Sequence, residues 1–129
     1  IHMWYATDAL ADYIPFGPSS SEGSSTADYF NDDTLYIAPY DGELIKIVLQ
    51  GAPGAMATPL GNTRIQLRVN GTTSTSYIQV DSIGHESTAT FDFSTITTTF
   101  NAGDRIRIQF DPTGAPKYVT ATSVWRYEI

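Results

Sequence analysis

A chain of 129 residues has the length of one domain, and a domain that size buries roughly two-thirds of its unfolded surface without needing staples. It has no cysteine and only two histidines, His2 and His85, which excludes a disulfide framework and a cysteine–histidine zinc site. The net charge of −7 is lopsided: residues 1–45 hold eight acids and no Lys or Arg, so no clustered basic patch exists to neutralise a nucleic acid.

The chain opens with Ile1-His2-Met3, which reads as a remnant ahead of a native segment. That leaves residues 4–129 as a single domain. No basic-then-apolar leader follows, and no apolar run approaches the ~20 residues of a membrane-spanning helix, so no membrane partner is expected. Asp12–Phe16 and Leu35–Ala38 are short strand candidates. Between them Gly17–Thr34, rich in Ser, Gly and Asp, reads as a loop.

Glu43–Gln50 is a more continuously apolar strand (Leu44, Ile45, Ile47, Val48, Leu49), expected to be central and covered on both faces. Gly51–Gly61, with Pro53 and Pro59, is a second loop. Thr63–Val69 then alternates with period two and runs into Asn70-Gly71, the favoured pair for a type I′ hairpin turn. Thr72–Val80 is expected to return as one strand. Ala89, Phe91 and Phe93 share a face opposite Thr88, Thr90 and Asp92. Asn101-Ala102-Gly103-Asp104 is a turn leading into Arg105–Phe110, and Val119–Glu128 closes the chain with Trp125 and Tyr127 on one face and Val124 and Arg126 on the other. About eight short strands punctuated by Gly, Pro and Asn, with no helix, predict an all-β antiparallel sandwich or jelly roll.

Chemistry is sparse. With His2 set aside, a serine triad would have to use His85, which lies in the turn-like Ser82-Ile83-Gly84-His85-Glu86, and no Gly-x-Ser-x-Gly elbow is present. Paired carboxylates suffice for glycoside hydrolysis, but most of the acids sit in turns such as Asp41-Gly42 and Gly103-Asp104, where Asp caps its own backbone. No catalytic residue and no cofactor is therefore expected. Asp28, Asp32 and Asp33 are weak candidates for a calcium site, because the EF-hand spacing is missing. Among the aromatics that crowd the first 40 residues, Tyr29 and Phe30 lie in a polar loop and are the ligand-surface candidates.

Three segments carry a resemblance. Phe100-Asn101-Ala102-Gly103-Asp104-Arg105-Ile106-Arg107-Ile108 ends one strand, turns and begins another. Phe110-Asp111-Pro112-Thr113-Gly114-Ala115-Pro116 leads to the closing Val124-Trp125-Arg126-Tyr127-Glu128. Upstream, Ile37-Ala38-Pro39-Tyr40-Asp41-Gly42-Glu43-Leu44 enters the first long strand. Together, over roughly residues 12–128, they resemble the tumour-necrosis-factor-like jelly-roll domains of tailed-phage (marine phage) virion structural proteins.

The resemblance implies a homotrimer about a three-fold axis and a place at the virion surface. The module would serve as a tail-fibre or receptor-binding tip, or as a capsid or tail decoration. Its partners would be its own copies, other virion proteins and a host-surface glycan or protein. It implies no catalytic residue. It also places the last strand in the sheet nearest the axis, which makes Val124 and Arg126 the trimer-interface candidates and sends Trp125 and Tyr127 into the core. The rival readings are a carbohydrate-binding module of a secreted bacterial protein and, behind it, a small glycan hydrolase or lyase.

Overall fold

The computed structural model describes residues 1–6, 12–16, 35–51, 58–73, 76–114 and 117–129. Among them there is no helix. In chain order the strands are β1 (His2–Ala6), β2 (Asp12–Tyr13), β3 (Tyr36–Ile37), β4 (Asp41–Gly51), β5 (Gly61–Val69) and β6 (Thr72–Thr73). They continue with β7 (Ile78–Ile83), β8 (Thr88–Asp92), β9 (Thr99–Phe100), β10 (Arg105–Asp111) and β11 (Lys117–Glu128). The chain is all-β, and every pairing is antiparallel.

Sheet one runs β1-β11-β4-β8, with β9 beside the start of β4. Sheet two is built on β10 and β5: β2 and β3 share the free edge of β10, while β6 and β7 share the far edge of β5. Three pairs of short segments thus lie end to end along one neighbour, and merging them leaves eight strand positions. The number is the one expected, but β1 is not among the expected strands, and Asp12–Phe16 and Leu35–Ala38 share one position. The inward faces of both sheets meet in one core, with Leu44, Ile47, Leu49, Phe91 and Val119 from one side and Ile65, Leu67, Ile106, Ile108 and Phe110 from the other.

A strand shows only every second side chain to a core, so a change of phase needs an extra residue. On β4 the buried positions are Leu44, then Ile47 and Leu49. The shift is made where Val124 pairs with Lys46 but Trp125 pairs with Leu44, leaving Ile45 as the extra residue. The carbonyls there are satisfied from the following segment: Leu44 O accepts Thr98 Oγ1 at 2.7 Å and Ile45 O accepts Phe93 N at 3.0 Å.

The apolar run at 44–49 therefore has a different cause from the one expected. β4 is central, but it is not covered on both faces, because its run combines a core stripe that changes phase with Ile45 and Val48, which remain half-buried.

The expected single strand Thr72–Val80 is also corrected. Arg68 pairs with Thr73, whereas Ile65, three residues back, pairs with Ile78, five residues on, so two extra residues separate β6 from β7. A second shift follows, with Ser82 at φ +55° donating its N–H to Asn62 Oδ1. It lets Ile78, Val80 and Ile83 all reach the core despite their mixed parity.

The turns take the forms expected. Asn70 (φ +53°) and Gly71 (φ +81°) have the positive φ values of a type I′ hairpin. Asn70 Oδ1 accepts the Arg105 N–H at 2.9 Å, and its Nδ2 donates to Asp104 Oδ1 at 2.9 Å. Asp104 Oδ2 accepts the Asn101 N–H at 2.8 Å, and Asp41 Oδ1 accepts that of Ala102 at 2.8 Å. Gly103 (φ +88°) donates its N–H to Ala38 O. The hairpin tip, the 101–104 turn and the entry to β4 are thereby tied into one end of the molecule.

Those two bonds hold the Asp104 carboxyl below the usual carboxylate range, the Asn101 N–H contributing most. Their stabilisation is complete above about pH 4 and disappears as pH falls through the lowered folded-state value. Asp104→Ala should lower stability at neutral pH by roughly 1 kcal/mol. Its denaturant midpoint should also fall less than that of the parent chain between neutral pH and pH ~3.

Candidate functional site

Two regions stand out, on opposite faces of β11. Its outward face, with that of sheet one, forms rows read from the register: Thr120–Gln50–Thr88, then Thr122–Val48–Thr90, then Val124–Lys46–Asp92. The threonines are exposed, Val48 is half-buried, and Val124 is 37% exposed. Arg126 pairs with Glu43 at the end of the face, and Lys46 lies beside Asp92. Both interface candidates, Val124 and Arg126, thus lie on the outward face of sheet one. Trp125 and Tyr127 point the other way and pack against the core, as expected for the aromatic pair.

The inward face of β11 leads to the second region. β1 pairs with β11 only from Lys117 to Ala121, so from Thr122 to Glu128 β11 has one strand neighbour, β4, among the described residues. The space beyond His2 is a cavity of about 510 Å³, within the usual ~300–1,000 Å³ of small-molecule sites. Ile1, His2, Phe16, Tyr36, Ser123, Trp125 and Tyr127 line it.

Aromatic contacts build the walls. Phe16 and Tyr36 stack at 5.2 Å between centroids, and Trp125 lies 6.4 Å and 6.1 Å from them. Phe100 braces Trp125 and Tyr127 edge-on from beneath. Gly42 makes room for this layer, because a Cβ there would meet the Arg126 carbonyl oxygen and the Tyr127 and Phe100 rings.

The polar groups pair with one another. The His2 ring nitrogens lie 2.7 Å from Pro15 O and 2.7 Å from Ser123 Oγ. A carbonyl only accepts, so Nδ1 carries the hydrogen and Nε2 accepts the Ser123 hydroxyl. Ser123 Oγ in turn accepts the Trp125 indole N–H at 2.8 Å. The Tyr36 and Tyr127 hydroxyls are 2.7 Å apart. Burial is the largest influence on His2 and pushes its pKa below the ordinary value, which favours the neutral ring. Burial together with Tyr36 raises Tyr127, which keeps it a phenol.

Residues 1–3 were read as lying outside the fold, yet His2 is only 3% exposed and is built into it. The sequence therefore directed the search for a serine–histidine pair to the wrong imidazole. His85 is exposed in a turn closed by a Ser87 N–H to Gly84 O bond. The closest pair is instead His2 and Ser123, 121 positions apart. It has the polarity of a base and a nucleophile, but Ser123 Oγ is held by the indole donor and acts as part of the cavity wall.

Asp28, Asp32 and Asp33, and the ligand-surface candidates Tyr29 and Phe30, lie outside the described residues. Among the described residues no three potential metal ligands gather, and no helix is long and apolar enough to cross a membrane. Arg107, on β10, is buried. Its guanidinium lies 3.6 Å from the centre of the Tyr13 ring, whose hydroxyl is 2.8 Å from Arg68 Nη1. Comparison with protein-family models, with curated proteins and with solved structures gives no match.

A histidine whose folded-state pKa is depressed costs stability once the unfolded chain would protonate it. Stability should therefore fall as pH drops below about 6.5 toward the lower folded-state value. Melting temperature measured from pH 7.5 to 5 should show this slope, and His2→Gln should flatten it.

Proposed function

We propose that the chain is a non-enzymatic jelly-roll module of a bacteriophage virion, working as a homotrimer through the outward face of sheet one. The observation that carries this reading is the strand order. With the short segments merged into eight strands, sheet one reads 1-8-3-6 and sheet two 2-7-4-5. Strands 1 and 8, 2 and 7, 3 and 6, and 4 and 5 are then neighbours, as when one long hairpin folds over into two sheets. That order supports the jelly-roll reading.

The outward face of sheet one supports the assembly. Val48 and Val124 stand among short threonines, with opposite charges paired at Lys46–Asp92 and Arg126–Glu43. Such a face can bring its Val124 rows against its own copies with Lys46 beside Asp92 and Arg126 bonded to Glu43, and a closed cyclic assembly also shields sheet edges. Three copies on one axis multiply weak contacts to a host surface without adding any contact per site.

Burying a valine-sized side chain contributes about 1.5–3 kcal/mol, and a trimer loses it three times over. Val124→Glu should place three like charges near the axis and dissociate the assembly, while Glu128→Gln should leave it intact. Sedimentation velocity at micromolar concentration decides: a monomeric parent chain overturns the trimer. On the enzymatic side, ester hydrolysis by the parent chain should match that of Ser123→Ala. Turnover that the substitution abolishes would make the His2–Ser123 pair catalytic and overturn the structural reading.

A further inference from the structure

We infer that the cavity between the free end of β11 and the Phe16–Tyr36 wall is a binding site for a neutral sugar ring. The proposal is independent of the trimer: it concerns the inward side of β11, whereas assembly uses the outward side.

The lining selects the ligand class by exclusion. Among the described residues no Asp, Glu, Lys or Arg lines the cavity; Ile1, whose terminal amine acts on His2, is in the lining, and His2 already spends both ring nitrogens on Pro15 and Ser123. An anion would find no side-chain cation among them. A caged cation could use the ring faces but would give the free phenol O–H of the Tyr36–Tyr127 pair no acceptor. A purely apolar ligand would leave the second phenol O–H of the Tyr36–Tyr127 pair without a partner.

What remains is a molecule with apolar faces and a rim of hydroxyls. The C–H face of a pyranose suits the aromatic walls. Its hydroxyls suit the tyrosine pair: whichever phenol donates across the 2.7 Å bond, the other keeps one O–H to give and both keep lone pairs to receive. Ser123, which gives its hydrogen to His2 and receives one from Trp125, keeps a single lone pair for the rim. The site is also preorganised. Phe100 and the close approach at Gly42 fix Trp125 and Tyr127 from below, so binding orders little.

The experiment is a titration of the full isotope-labelled chain with glucose, galactose, N-acetylglucosamine and maltotriose, each followed at the Trp125 indole N–H by NMR. Tetramethylammonium chloride serves as the cationic probe. At least one saccharide should shift that resonance saturably, and Tyr36→Phe, which keeps the ring and removes the hydroxyl, should weaken binding by about threefold to tenfold. Trp125→Ala, followed at the backbone amides of β11, should abolish it. Because that variant removes part of the core wall, Tyr36→Phe with a preserved spectrum is the deciding one.

Three results would overturn the assignment: no saccharide acting up to tens of millimolar, tetramethylammonium acting where the saccharides do not, or saccharide binding that spares Trp125 and survives Tyr36→Phe. A trimer that binds no sugar would sink this inference and leave the assembly standing, and a monomer that binds one would do the reverse.

Discussion

Period two is a rigid rule for a strand, and this protein is organised by the two places where the rule is reset. At Ile45 on β4 and at Ser82 on β7 an extra residue is inserted, so stretches of mixed parity keep their apolar side chains on one core. β11 carries no such insertion. Its alternation from Val119 to Glu128 is unbroken, and β4 adapts to it. Because β11 never changes phase, one side of it faces the core and cavity along its whole length, and the other faces outward among the threonines.

The cavity follows from a mismatch of lengths. β1 reaches only to His2, opposite Ala121, while β11 continues to Glu128. The gap is closed on the far side by Phe16 and Tyr36, which enter from the edge of sheet two. Four aromatic side chains, with Phe100 beneath, turn what would be a solvated slot into a walled pocket, and the His2–Ser123–Trp125 chain of hydrogen bonds locks its floor. The same network requires a neutral imidazole, so the packing of the amino-terminal strand is coupled to pH through one side chain.

The two faces of β11 thus offer two different kinds of surface to the two proposed modes of recognition. Outward, short β-branched and hydroxyl side chains in register make a flat surface suited to a flat partner such as a second copy. Inward, large rings converge on a concavity suited to a small one. Neither surface needs the other, and the strand order that places β11 between β1 and β4 is what gives a single strand both.

The sequence by itself determined what depends on neighbours a few residues away. The alternation at 63–69, 88–92 and 119–128, the type I′ turn at Asn70-Gly71 and the turn at 101–104 are local consequences of pleat and positive φ, and they hold. So does the inward aim of Trp125 and Tyr127, which parity alone fixes. Only the tertiary structure decided what depends on distant partners. It broke 72–80 into two strands, left the second face of β4 uncovered, and buried Arg107 under a Tyr13 ring that arrives from the edge strand β2. Above all it joined His2 to Ser123 and brought Phe16 and Tyr36 beside Trp125. Bulges and cavities are set by the length of neighbouring strands and by where their ends fall, and no local pattern of residues records either.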